Sequence, residues 1–109
     1  MTQITFLAED DCLSSGISGI TDALSIANLF WQYMEGNDTP LFTTQIVTPD
    51  GKPIIANGGL VLTPNASMAD VASSQIIIIP GFFRPLGLRE DRLDMICDWL
   101  RQHYSKGSR

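Results

Sequence analysis

The residues best suited to chemistry lie in two short segments, and the first surrounds residue 10. Glu9, Asp10 and Asp11 are consecutive carboxylates, and Cys12 follows them directly. Carboxylates can act as general bases or bind a hard cation. Neighbouring acids raise the pKa of a thiol, however, and so weaken it as a nucleophile. We therefore interpret the acidic run as a solvated loop and Cys12 as a packed thiol rather than a catalyst.

The second segment is residues 80–85, with the sequence PGFFRP. Gly81 lets the backbone approach a ligand closely, and Phe82 with its neighbour could form the wall of a pocket. Arg84 could hold an anionic group. The alternative is a turn whose aromatic side chains only fill the core. Both interpretations stay open on the sequence.

The remaining candidates predict no catalytic or metal site. His103 is the only histidine, and it falls in the last turn of a predicted helix. Cys97 lies on the apolar face of that helix and is far from Cys12, so the spacing matches no zinc or CxxC motif. No glycine-rich phosphate loop is present. We predict no catalytic residue, no metal and no cofactor.

The elements that position these segments follow from a run of four isoleucines, residues 76–79. A strand without polar alternation has no solvent face, which is typical of a central parallel strand covered by helices on both sides. Parallel sheets bind ligands just beyond the carboxyl ends of their strands. The run therefore predicts an α/β domain with a small-molecule site near residues 81–84.

The order of predicted elements is strand, helix, strand, hairpin, short helix, strand and helix. Strands are expected at residues 4–8 and 42–47, a hairpin around the Asn-Gly-Gly of residues 57–59, and a capping box at residues 67–70. A long helix should begin near Ser14, with a serine oxygen as its cap, and end at residues 36–38. Its wide apolar stripe predicts burial on much of its circumference. The final helix should start near residue 88.

Charge and hydropathy exclude several classes of function. The net charge is −5 and the pI is near 4.5, which makes this chain a poor binder of nucleic acid. The apolar runs are too short to span a bilayer, and the first residues do not resemble a signal peptide. Two free thiols fit a reducing compartment, so we expect a cytoplasmic protein.

Three motifs give the chain a family resemblance. Residues 19–28 (GITDALSIAN) resemble the "GPxDxxxxAN" helix of AraC-type regulators that carry an amidase-like sensor domain of the PfpI superfamily. Residues 59–70 (GLVLTPNASMAD) are similar to their "GLxLxPDxxLAD" segment, and residues 76–81 (IIIIPG) to their "DxLLVPGG". The resemblance implies a flavodoxin-like, three-layer α/β/α domain with a mostly parallel sheet. In a complete regulator, a helix-turn-helix DNA-binding domain would follow.

The chain also departs from the family pattern. Gly16 and Ile20 replace an aspartate and a proline, and Phe82 replaces the second glycine after the central strand. The chain ends before the family's next strand and the elbow that carries the superfamily's cysteine nucleophile. Neither cysteine present matches that position, so the resemblance implies no catalytic residue here.

We therefore expect residues 1–109 to be the N-terminal part of a PfpI-like ligand-sensing domain, with an incomplete sheet, a hairpin and no DNA-binding domain. Its function would be non-catalytic: effector sensing and dimerisation within an AraC-type transcriptional regulator. An unpaired edge on the isoleucine strand would favour a homodimer or larger assembly. The expected effector contacts are Asp10, Cys12, Gly81, Phe82 and Arg84. The alternatives are a fragment of a PfpI-type amidase, protease or glyoxalase-like hydrolase, and a stand-alone interaction module.

Overall fold

A four-stranded parallel sheet forms the centre of the computed structural model, which describes residues 1–82 and 90–109. In space the strands follow the order β5-β2-β1-β6. The elements along the chain are β1 (Thr2–Leu7), α1 (Ser15–Glu35), β2 (Phe42–Thr48), β3 (Ile54–Ile55), β4 (Val61–Leu62), β5 (Ala66–Ser67), β6 (Ile76–Ile78) and α2 (Glu90–Ser105). Within the described residues, the predicted element order is confirmed with one addition: the short strand β5 lies between the hairpin and the predicted short helix, which is a single 3-10 turn at Met68–Asp70.

The sheet separates two apolar clusters, which makes the fold a three-layer one. On one face, Phe6 and Ile4 of β1 pack with Ile17 of α1 and with Ile54 of the β3–β4 hairpin. On the other face, the core consists of buried side chains from β1, β2, the segment after β5 and α2: Leu7, Val47, Met68, Val71, Ile96 and Trp99. Alternate residues of β1 thus serve opposite faces, as the pleat requires. The predicted α/β class with a mostly parallel sheet and a separate hairpin is confirmed.

Several local predictions agree with the structure because short-range chemistry specifies them. The hairpin pairs Ile54 with Leu62 and Ile55 with Val61 in antiparallel register. The Ser67 hydroxyl and backbone N–H both donate to the Asp70 carboxylate, forming the predicted capping box. Gly36 ends α1 in the left-handed conformation (φ 67°). The start of α1 differs, since the side chain of Ser14 makes no capping hydrogen bond.

The prediction that α1 is buried on much of its circumference is wrong for this chain. Ile17 is its only buried residue. One sheet face can cover only one side of a helix, and the apolar stripe of α1 is wider than that contact. Its outer side is left exposed, with Leu29 64% and Tyr33 87% accessible.

The isoleucine strand also differs from the expected central strand. β6 is the last strand on its side of the sheet; its three isoleucines are half-buried, and Ile79 is 47% exposed. Its outer edge is paired at one point: the Arg109 N–H donates to the Gln75 carbonyl (2.9 Å), and the Ile77 N–H donates to the Arg109 carbonyl (2.8 Å). These two bonds are the pattern of a parallel pair. Arg109 thus lies beside β6 as the first residue of a further parallel strand would.

Candidate functional site at the carboxyl edge of the sheet

The loop between β1 and α1 crosses the carboxyl end of β6 and is fastened to it. The Leu13 N–H donates to the Gly81 carbonyl (2.8 Å), and Cys12 forms an isolated antiparallel bridge with Phe82. The two segments singled out by the sequence, around residues 10 and 80, therefore meet. Their meeting point is the edge where parallel sheets of this class bind ligands.

The same loop is held on its other side by the hairpin. The Ile55 N–H donates to Asp10 Oδ1 (3.0 Å), the Asp11 N–H donates to the Ile55 carbonyl (2.9 Å), and the Asn57 N–H donates to the Cys12 carbonyl (2.9 Å). Asp11 adopts the left-handed conformation at φ 66°, which is uncommon outside glycine. The loop therefore has a defined shape, and Asp10 contributes a carboxylate oxygen to it.

Cys12 is fully buried in the cluster beneath α1. Burial raises the pKa of its thiol above the ordinary value, and the nearby charges of Glu9 and Asp10 add to that effect, against backbone hydrogen bonds that lower it. A buried thiol with a raised pKa is a poor nucleophile. A ligand can touch Cys12 only when the loop opens, so its expected role in ligand contact stays a prediction.

The other expected contacts differ in accessibility. Asp10 and Gly81 are exposed, and Phe82 is half-buried against the same cluster as Cys12. Arg84 lies outside the described residues. The structure therefore brings Asp10, Cys12, Gly81 and Phe82 to one edge of the sheet.

An ion-pair cluster with one buried carboxylate lies at this edge, and the sequence interpretation missed it. Arg92, in the first turns of α2, places Nη1 2.7 Å from Glu9 Oε1 and Nη2 3.2 Å from Asp50 Oδ2. The Glu9 side chain is only 4% exposed, so Glu9 is not part of a solvated loop. Glu9 Oε2 accepts no hydrogen bond from any residue in the described ranges. Because this oxygen is buried, a ligand donor can reach it only when the surrounding side chains move.

The ends of two adjacent strands explain how Glu9 and Asp50 come together. Glu9 follows β1, and Asp50 follows β2, whose parallel pairing puts both carboxylates at one edge. The Lys52 backbone N–H, and secondly the Arg92 guanidinium, hold the pKa of Asp50 below its ordinary value. The sequence signal for this cluster is an acidic residue just after each of two adjacent parallel strands. Of the two residues, only Glu9 was recognised as a candidate from the sequence.

A second concave surface lies on the α2 side, away from the predicted residues. Pro49, Met68, Ala69, Met95 and Trp99 line most of a cleft of about 510 Å³, with Asp98 and Gln102 at its polar side. The Trp99 indole N–H donates to the Met68 carbonyl (2.9 Å), which fixes one wall. The chemistry available there is apolar contact.

These groups can bind a ligand, but they do not form a nucleophilic site. Among the described residues, no three His, Cys, Asp or Glu side chains are arranged to hold a metal ion. His103 lies near the far end of α2. Its neighbours Trp99 and Lys106 belong to the same helical region, so His103 is not part of this edge. The edge offers carboxylates, one guanidinium and backbone groups, which suit recognition by hydrogen bonds and charge.

Comparisons with known proteins agree on the fold. No family model matches the chain, and a search of curated proteins found no match. A proposed transcriptional regulator from Vibrio parahaemolyticus is similar in structure, with a TM-score of 0.77 and 26% identity over 98% of this chain and 53% of that one. An AraC family transcriptional regulator from Pseudomonas putida gives a TM-score of 0.76 at 19% identity, over 99% and 53%.

A DJ-1 superfamily protein from Agrobacterium tumefaciens is also similar, with a TM-score of 0.62 at 21% identity over 94% of this chain and 50% of that one. The chain thus has the flavodoxin-like fold shared by these regulators and by DJ-1 superfamily proteins. These neighbours match the resemblance that the three sequence motifs suggested. The chain spans about half the length of the solved structures it matches. No helix among the described residues is long and apolar enough to cross a membrane.

Proposed function

We propose that this chain is the N-terminal part of the ligand-sensing domain of an AraC-type transcriptional regulator. The observation that carries the proposal is the similarity to the Vibrio parahaemolyticus protein, which extends over 98% of this chain at 26% identity. The motifs at residues 19–28, 59–70 and 76–81 support the same class. In this proposal the protein acts in the cytoplasm as a homodimer, and its DNA-binding domain lies outside these 109 residues.

The state of the thiols supports a non-catalytic role. Cys12 is buried with a raised pKa, and Cys97 is half-buried on α2 in the opposite layer. Among the described residues, neither thiol is hydrogen-bonded to a histidine, the base that most often activates a cysteine nucleophile.

The effector is proposed to bind at the carboxyl edge, against Asp10, Cys12, Gly81, Phe82 and Arg84. The β1–α1 loop there is bonded both to β6 and to the hairpin, so a ligand that displaces either contact changes the start of α1. An effector that favours one arrangement would shift the population of dimer states and so bias the attached DNA-binding domains.

The test is a calorimetric titration of the complete regulator with candidate metabolites, comparing the wild type with Arg84→Ala and Asp10→Asn. Weaker effector binding in both variants would support this edge as the site. Arg101→Ala is the control, because its ion pair with Asp98 is exposed and lies on the other end of α2. Unchanged affinity in Arg84→Ala would remove Arg84 from the site.

The second candidate function is a PfpI-type amidase, protease or glyoxalase-like hydrolase. The similarity to a DJ-1 superfamily protein supports it, since that superfamily includes enzymes. Assays of the complete protein for amide hydrolysis and for glyoxalase activity separate the two. Turnover that is lost when a cysteine outside these 109 residues is replaced would favour the enzyme.

A further inference from the structure

The cleft on the α2 side has the size and lining of a small-molecule site, and the proposed function does not use it. Its volume is about 510 Å³, within the range of about 300–1,000 Å³ that is typical of ligand pockets. Met68 and Trp99 are buried side chains that line it, and Met95 beside them is more exposed. Methionine and tryptophan together suit an aromatic or branched apolar group.

The walls of this cleft are held in place without a ligand. The Trp99 indole N–H donates to the Met68 carbonyl (2.9 Å), which ties α2 to the turn after β5. The capping box between Ser67 and Asp70 closes that turn. Met68 and Trp99 are only 3% and 8% exposed. Little conformational entropy is lost when a ligand enters a site whose walls are already ordered.

One end of the cleft is polar, and its charge is negative. Asp98 and Gln102 line this end and lie four residues apart, on one side of α2. None of the described residues that line the cleft is basic. An anionic ligand would therefore face a carboxylate there, whereas an ammonium group would find an acceptor. This charge complementarity selects a cationic ligand.

Arg101 already pairs with Asp98, but the pair is weak enough for a ligand to compete with it. Arg101 Nη1 lies 2.9 Å from Asp98 Oδ1, and the two side chains are 76% and 67% exposed. Water and salt screen exposed pairs of this kind. The pair uses Oδ1 of Asp98, which leaves Oδ2 for a ligand donor.

We propose that the α2 cleft is a second small-molecule site, which binds a compact primary amine with an aromatic or branched apolar body. The body lies against Met68, Met95 and Trp99, and the ammonium group donates to Asp98 and to the side-chain oxygen of Gln102. Apolar walls alone would accept a neutral molecule equally well, so the carboxylate provides the specificity. The inference goes beyond the proposed function, because it involves neither the carboxyl-edge residues nor DNA.

A titration with phenethylamine, followed by heteronuclear NMR, tests the site on the full chain. The indole N–H signal of Trp99 is expected to shift saturably, with a Kd of about 1 mM or below for so small a ligand. The indole of Trp31, on α1 in the opposite layer, is the internal reference and should stay in place. Phenethyl alcohol has the same apolar body without the charge, so it should bind at least about threefold more weakly.

Two pairs of matched variants locate the binding. Asp98→Asn should weaken amine binding by about fivefold and leave alcohol binding unchanged, whereas Asp22→Asn removes the same charge from α1 and should have no effect. Ala69→Phe fills the cleft and should abolish binding of both probes. Ala72→Phe places the same ring at an exposed position outside the lining and should bind both normally. Circular dichroism should show all four variants folded.

Arg101→Ala should change the affinity in the opposite direction. It removes the competitor of the ligand's ammonium group, so amine binding should tighten by about two- to fivefold. A Trp99 signal that does not saturate would overturn the proposal, as would equal affinities for amine and alcohol that Asp98→Asn leaves unchanged. Equal loss of binding in Ala69→Phe and Ala72→Phe would also overturn it. Effector binding at the carboxyl edge is measured separately, so either proposal can fail without the other.

Discussion

Arg92 connects residues that are far apart in the sequence, and removing it should destabilise the fold. Its guanidinium is the partner of Glu9, whose side chain is 4% exposed. Arg92→Ala leaves that carboxylate buried without its cation, so we expect the free energy of unfolding to fall by roughly 3 kcal/mol. Urea denaturation monitored by fluorescence measures this change.

The matched control for Arg92 is Arg101→Ala on the same helix. Arg101 pairs with Asp98 at 2.9 Å, but their side chains are 76% and 67% exposed. Exposed pairs of this kind contribute only about 0.2–1 kcal/mol. Equal losses of unfolding free energy in the two variants would contradict this prediction. They would mean that burial of Glu9 makes its ion pair with Arg92 no more important than an exposed pair.

His103 should make stability depend on pH in the mildly acidic range. It is buried against Trp99, with ring centroids 4.6 Å apart, and burial lowers its pKa from 6.5, with a smaller contribution from Lys106. The unfolded chain therefore binds a proton at higher pH than the folded one. The contribution of neutral His103 to the free energy of unfolding is fully present above pH 6.5. It is lost as the pH falls from 6.5 toward the lower pKa of the folded state.

Denaturation midpoints at several pH values between about 7.5 and 5.5 would measure that loss, which is at most about 1.4 kcal/mol per pH unit for one group. His103→Phe keeps an aromatic ring against Trp99 and removes the titration. This variant should have a flat profile over the same range. A slope that survives in His103→Phe would assign it to the carboxylates instead.

At this scale, sequence patterns predicted some side chains well and others badly. Cys12 was expected to be packed because its acidic neighbours argue against a reactive thiol, and it is fully buried. Glu9 was expected to be solvated with Asp10 and Asp11, and only those two are exposed. A strand end alternates its side chains, so adjacent carboxylates can have opposite environments, and the partner that makes burial possible is 83 residues away.

Among the elements, α1 is hydrogen-bonded to β2 through the side chain of Asn28, which offers a direct test of how the layers are held. Asn28 Nδ2 donates to the Phe42 carbonyl (2.9 Å), and the Phe42 N–H donates to Asn28 Oδ1 (2.8 Å). Asn28→Ala removes both bonds and leaves two backbone groups unpaired. We expect a loss of about 2–3 kcal/mol in a thermal or urea unfolding experiment.

Gln32→Ala provides the comparison for Asn28 on the same helix. Its Nε2 donates to the Asp38 carbonyl (2.8 Å) in an exposed position, so its removal should cost about 0.5 kcal/mol or less. The paired bonds also give a physical meaning to the asparagine of the residue 19–28 motif. A loss in Gln32→Ala as large as that in Asn28→Ala would show that the contact with Phe42 has no special role.

Elements specified by local chemistry were predictable, and elements whose surroundings decide their burial were not. The hairpin at residues 57–59 and the capping box at residues 67–70 follow from turn and cap residues alone. The stripe of α1 shows that the helix is apolar, but its width does not reveal what covers each side. The isoleucines of β6 suggest two covered faces, yet the strand lies at the side of the described sheet, paired beyond β1 only with Arg109.

For the molecule as a whole, the fold was predictable because its determinants are redundant. Strand periodicity, element order and three motifs all indicate one parallel sheet between two helical layers, and the solved regulators have the same fold at low identity. The candidate site was only partly predictable. The strand ends identify the edge, but the Glu9–Arg92–Asp50 cluster depends on the docking of α2, which no local pattern encodes.

The charge of the whole chain leads to a final prediction about DNA. The chain has seven basic and twelve acidic residues. A protein must neutralise phosphates with lysine or arginine to bind a duplex tightly. We expect this chain alone to leave a DNA duplex unshifted in a gel at physiological salt, whereas the complete regulator that we propose should retard its operator. Retardation by the chain alone, weakening steeply as salt rises, would contradict the division between sensing and DNA binding. The proposed sensing role depends on that division, because an acidic domain needs a basic segment elsewhere to bind DNA tightly.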